Sequence, residues 1–118
     1  MRRGATCFAR DAGAVTVEAA IALTAVVLAV VLCLGALLAA STQVRCVDAA
    51  REAARLAARG DRATALDAAR RVAPPAAEIS LRADADHWTA VVTARTHLLP
   101  GLRLRAEAIA ANEPDPTP

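Results

Sequence analysis

The sequence predicts an α+β protein. A long N-terminal transmembrane helix continues outside the membrane, a short second helix follows, and a small antiparallel sheet of about three strands completes the chain. Three observations carry this expectation. Residues 19–40 form an apolar run interrupted only by Thr24 and Gly35. Residues 41–59 keep helically spaced charges and contain no Pro or Gly. After Pro74-Pro75 the apolar residues recur at every second position, which is the period of a strand.

The apolar run is of membrane length. Residues 19–40 make about 33 Å of helix, enough to cross a hydrocarbon core of about 30 Å. Arg2, Arg3 and Arg10 precede the run and Arg45 follows it. The positive-inside bias therefore predicts a single-pass protein of the cytoplasmic membrane, with its N-terminus in the cytoplasm and its C-terminus outside. Residues 1–13 are short and basic and read as a leader, not a folded element. The helix is then expected over residues 14–59, with its transmembrane segment at 19–40.

Beyond the membrane the helix has two different sides. Cys46, Ala49, Ala50, Ala53, Leu56 and Ala57 form a smooth face suited to packing. Arg51, Arg55 and Arg59 form a row beside Asp48 and Glu52, and Asp48–Arg51 and Glu52–Arg55 are attractive neighbours on it. Gly60 is a stop signal and Asp61 an N-cap for a second helix over 61–72. That helix carries Ala65, Leu66, Ala69 and Val72 on one face, and Pro74-Pro75 ends it.

The rest reads as strands and turns. Ile79, Leu81 and Ala83 alternate with polar residues, and Asp84-Ala85-Asp86 forms a turn. Residues 87–97 hold Trp88, Val91, Val92 and three threonines, a strand composition. Pro100-Gly101 turns the chain into Leu102, Leu104, Ala106 and Ala108, again alternating. Residues 60–113 thus make a small external domain, and 114–118 a loose tail. Trp88 is its largest apolar piece and is expected to close the core against Ala53 and Leu56. The other reading of Trp88 is a contact residue for a neighbouring subunit.

Composition narrows the function. The chain has 118 residues and a net charge of +2, with 56% hydrophobic but only 2% aromatic residues. All its basic side chains are Arg, and the positive excess lies in the first thirteen residues. Past them charges balance and no basic patch stands out, which argues against nucleic acid as a partner. Cys7, Cys33 and Cys46 do not make a disulfide framework. Cys33 reads as an apolar filler, while Cys46 is either a packed thiol or an intermolecular contact in an oxidising compartment. His87 and His97 lack the spacing of metal ligands, and no phosphate loop or nucleophile motif occurs. No enzyme activity, metal or cofactor is expected.

One residue stands apart. Glu18 is a lone carboxylate at the mouth of the apolar run. A charge within a bilayer costs about 2.5–3.5 kcal/mol on insertion scales and needs a partner. Cutting the chain between Gly13 and Ala14 would create one, an α-amine with Glu18 at the fifth position after the cut. Two main readings remain for Glu18: a carboxylate resting at headgroup level, or an ion pair with the Ala14 amine of a neighbouring subunit. Proton-relay chemistry has little support, because no second ionisable residue lies in the run.

The basic leader ending in Gly13, the cut before Ala14 and the carboxylate Glu18 ahead of an apolar helix resemble bacterial type IV prepilins. The stretch Gly13-Ala14-Val15-Thr16-Val17-Glu18-Ala19-Ala20, with the later Gln43-Val44-Arg45-Cys46-Val47-Asp48-Ala49-Ala50-Arg51-Glu52-Ala53-Ala54-Arg55, is similar to TadE-like minor pilins of the tight-adherence (Tad/Flp) system. The resemblance covers roughly residues 10–60. It implies cleavage by a prepilin peptidase and Glu18 as an assembly carboxylate. It also implies hetero-oligomeric partnership with other Tad pilins and the pilus assembly platform, in a surface pilus used for adhesion or secretion. Ala14 departs from the Phe that many prepilins carry after the cut. Two other classes compete: a single-pass membrane-anchored binding protein, and a secreted protein cut after Ala39-Ala40-Ser41 by an ordinary signal peptidase.

Overall fold

The computed structural model describes residues 7–96, 98 and 101–113, with the backbone alone for 7–12. The expectations for residues 1–6, His97, Pro100 and the tail 114–118 lie outside the described residues. Five elements follow in order: α1 (Cys7–Ala58), α2 (Arg62–Val72), β1 (Glu78–Ala83), β2 (His87–Arg95) and β3 (Arg103–Ala111). The class is α+β, as the sequence predicts. One boundary differs, because α1 starts at Cys7, inside the stretch that reads as an unfolded leader. Residues 7–12 contain no Pro or Gly, and Gly13 alone costs a helix only about 1 kcal/mol.

The chain divides into two compact units, Met1–Ala36 and Leu37–Pro118. In the first, the described residues are α1 alone. Its large apolar side chains all point outward, with Leu23 66% exposed and Leu32 73% exposed. The Thr24 hydroxyl donates to the Ala20 carbonyl at 2.8 Å, which satisfies it within the helix. Among the described residues, Gly13–Ala58 is one helix long and apolar enough to cross a membrane.

The second unit holds the remainder of α1, α2 and the sheet. Gly60 ends α1 with a left-handed φ of 89° and donates its N–H to the Ala57 carbonyl at 2.9 Å. Asp61 caps α2 by accepting the Thr64 N–H at 3.0 Å on Oδ1. The Ala77 N–H donates to the Pro74 carbonyl at 3.2 Å, and Ala76 takes a φ of 59° inside that turn. The strands then run antiparallel in the order β1-β2-β3. The register sets Val92 between Ile79 and Ala106, and Trp88 between Ala83 and Ala110.

Alternation fixes which side of the sheet is covered. Ala90, Val92 and Ala94 of β2 and Ala106 of β3 are buried. They share one core with Cys46, Ala49, Ala50, Ala53 and Ala54 of α1, Ala69 of α2, and Ala73 beyond it. Two hydrogen bonds set the direction of α1 along β3. Gln43 Nε2 donates to the Arg105 carbonyl at 3.1 Å, and the Glu113 N–H donates to the Ala58 carbonyl at 3.3 Å.

Two places in the core and one on its surface differ from expectation. Trp88 is half-buried, not central, and the largest fully buried side chains are Val92 and Cys46. The register explains this, since Trp88 sits at the end of the sheet, where its neighbour Ala83 is exposed. Val72 is 37% exposed and leaves the α2 core face to Ala65 and Ala69. Of the two attractive pairs on α1, Glu52–Arg55 closes at 2.8 Å, and Asp48–Arg51 forms no ion pair or hydrogen bond among the described residues.

Candidate functional site

The sequence directs attention to the N-terminal part of α1. Gly13, Val17 and Ile21 form one row at helical spacing of four, and Ala14, Glu18 and Ala22 the adjacent row. Together they line a shallow apolar depression in which Glu18 is the only charged group among the described residues. The depression exists because Gly13, Ala14 and Ala22 have little or no side chain. Glu18 is exposed and makes no hydrogen bond or ion pair with any described residue.

The peptide between Gly13 and Ala14 lies inside the helix. Its carbonyl accepts a hydrogen bond from the Thr16 hydroxyl at 2.9 Å. A Cβ added at Gly13 would meet nothing within 4 Å. Packing among the described residues therefore gives no reason for glycine at that position. Ala14 and Glu18 are one turn apart, about 6 Å along the axis. An amine at Ala14 would lie within ion-pairing reach of a carboxylate on its own helix or on a parallel neighbour.

The other sequence-predicted residues do not join this site. Cys46 is fully buried in the core of the second unit. Burial raises its thiol pKa, with the nearby Arg45 charge pulling the other way. It is a packed, protonated thiol, and pairing it with another subunit would require α1 to leave the sheet. Cys33 is exposed on α1. His87 Nε2 lies 3.7 Å from Asp84 Oδ2, in the turn between β1 and β2. Among the described residues no group of His, Cys, Asp and Glu is arranged to hold a metal ion.

Arg45 has a role that sequence reading missed. Its Nε donates to the Val72 carbonyl and its Nη2 to the Ala73 carbonyl, both at 3.2 Å. These are end-of-helix carbonyls of α2, where a positive charge is favoured. The signal was there in part, because α2 ends in Val72-Ala73-Pro74 with no glycine to close it.

Comparison with known proteins gives one informative relative. Over 100 residues the chain is 53% identical to the Mycobacterium tuberculosis protein named Apoptosis inhibitor Rv3655c, covering 85% of this chain and 80% of that one. The chain belongs to that protein's family. No family model matches the chain, and no solved structure matches it.

Proposed function

We propose that this chain is a minor pilin or pseudopilin of the TadE-like kind, working in a Tad/Flp-type pilus for adhesion or secretion. A prepilin peptidase cuts between Gly13 and Ala14, and the mature subunit assembles with other pilins from the cytoplasmic membrane. The observation that carries this reading is Glu18. Among the described residues it is the one charged group lining the depression on an exposed apolar helix and has no partner, and it lies five positions after a glycine that their packing does not need. An α-amine on Ala14 supplies the missing charge, and pairing it across subunits fixes the axial stagger of neighbouring helices.

The peptidase step requires local unwinding, because a protease groove takes an extended chain. Gly13 lowers the cost of opening this turn by about 1 kcal/mol relative to alanine. After assembly, the large exposed side chains of α1 find neighbours in other pilin helices.

The second reading is a single-pass membrane-anchored binding protein or a secreted protein, between which and a pilin the relative's printed name does not decide. The position of the mature N-terminus separates the two. Intact mass and N-terminal sequencing of membrane-extracted protein are expected to give Ala14. A start at Thr42 would instead mean a secreted protein, and an intact Met1 a plain anchor.

A further inference from the structure

The end of the sheet beside the β2–β3 connection carries an unusual set of side chains. Arg95 and Arg103 are direct cross-strand partners. Like charges directly opposite each other destabilise a sheet. Both are exposed, and neither forms an ion pair among the described residues. Arg105, by contrast, is tied to Glu107 at 3.2 Å. The two arginines border an open groove of about 530 Å³, which Thr93, Thr96 and Glu78 also line. Glu78 leaves the groove with a net positive charge. In the connection itself, Leu98 is 62% exposed and Leu102 39% exposed.

The location of this end gives the set its meaning. Gln43 of α1 is hydrogen-bonded to the backbone of Arg105, and β3 and α1 run in the same direction from there. Arg103 lies two residues earlier in β3, about 7 Å back along the strand. That distance corresponds to roughly four or five helix residues at 1.5 Å each. Arg103 and Arg95 are therefore level with about Leu38 or Ala39, where the apolar run of α1 ends. Two unpaired arginines and two exposed leucines thus sit at the height where a bilayer surface would lie.

We propose that Arg95, Arg103, Leu98 and Leu102 form a second membrane contact that docks the external domain on anionic phospholipid headgroups. The arginines take the headgroup phosphates, which relieves their mutual repulsion, and the leucines enter the interfacial layer. The contact rests on α1 being a membrane anchor and not on the cut at Gly13.

Depth-dependent quenching tests it in the full-length chain. With Trp88→Phe removing the native indole, Leu98→Trp is the reporter, in vesicles of brominated phosphatidylcholine with or without phosphatidylglycerol. Leu28→Trp in the same background reports the span itself. The expected result is strong quenching of both, with that of Leu98→Trp depending on phosphatidylglycerol. Arg95→Gln with Arg103→Gln is expected to lower the docked-to-free ratio about 30-fold, from about fivefold per basic side chain at an anionic surface. Hydrogen exchange on the unsubstituted chain gives an independent reading, with amides of residues 101–104 slowed by phosphatidylglycerol. Quenching at Leu28→Trp but not at Leu98→Trp overturns the docking and leaves the anchor. Loss of both overturns the anchor and the docking together. Quenching at Leu98→Trp that ignores phosphatidylglycerol and both arginines overturns headgroup recognition.

Discussion

Residues 13–36 and the unit from Leu37 onward are both rich in alanine, yet they use apolar side chains in opposite ways. In the first stretch Val, Leu and Ile point outward all round α1, and none is buried. In the second the buried set is almost wholly alanine, with Val92 and Cys46 its largest members. The side chains that would contribute most by burial, about 1.5–3 kcal/mol each, are thus withheld from the chain's own core. Among the described residues nothing covers them. The folded unit instead relies on close approach of a smooth helix to a sheet, with polar ties at its ends.

That contrast can be broken most forcefully in the exposed stretch. Leu28→Arg puts a charge at the middle of the apolar run, at about 2.5–3.5 kcal/mol on insertion scales. The protein is expected to vanish from the membrane fraction after carbonate extraction. Unchanged extraction would mean that lipid is not the solvent of α1. Smaller, and confined to the folded unit, is the effect of Ala53→Leu. Ala53 is fully buried between α1 and the sheet, and overpacking there is expected to cost about 1–3 kcal/mol. Thermal unfolding of the detergent-solubilised chain measures it, and membrane insertion should stay normal. A stabilising result would mean that the small-residue face leaves room to spare.

The smallest expected effect is a pH dependence at the start of α2. The Thr64 hydrogen bond holds the Asp61 carboxyl below its ordinary value. The capping contribution is therefore present above the usual aspartate pKa of about 4 and is lost as pH falls through the lowered folded value. Asp61→Asn keeps a capping side chain but removes the titration. The difference in unfolding midpoint between the two chains should shrink on acidification, and a constant difference would remove the charged cap from the account.

The order of elements was legible because each boundary has a local chemical marker. Gly60, Asp61 and Pro74-Pro75 act within a few residues, and the alternation over β1 to β3 is unambiguous. The small-residue face of α1 was legible for the same reason, being a periodicity. What a linear reading could not supply was position within the layers. Trp88 looked central by size, but its pairing with Ala83 and Ala110 puts it at the sheet's end. Arg45 looked like a topology marker, yet it binds carbonyls nearly thirty residues away. The opposition of Arg95 and Arg103 depends on strand register. The candidate site at Gly13 and Glu18 was legible because its parts are close in sequence. The structure adds that Glu18 has no partner among the described residues of its own chain.

An alanine core also changes how folding is balanced. Alanine has no side-chain rotamers to lose, so ordering Ala49, Ala50, Ala53, Ala90 and Ala94 costs backbone entropy alone. A leucine or isoleucine core gains more from burial but gives up about 0.5–1 kcal/mol of rotamer freedom at each position. The scarcity of rotamers has a second effect, because such a core has little room to repack. A larger side chain finds few neighbours able to turn aside, chiefly Val92, Val47, Ile79 and Leu81, and a smaller one can only be glycine, which loosens the backbone itself. The interface between α1 and the sheet is therefore set by backbone geometry, and its tolerance for substitution should be narrow in both directions.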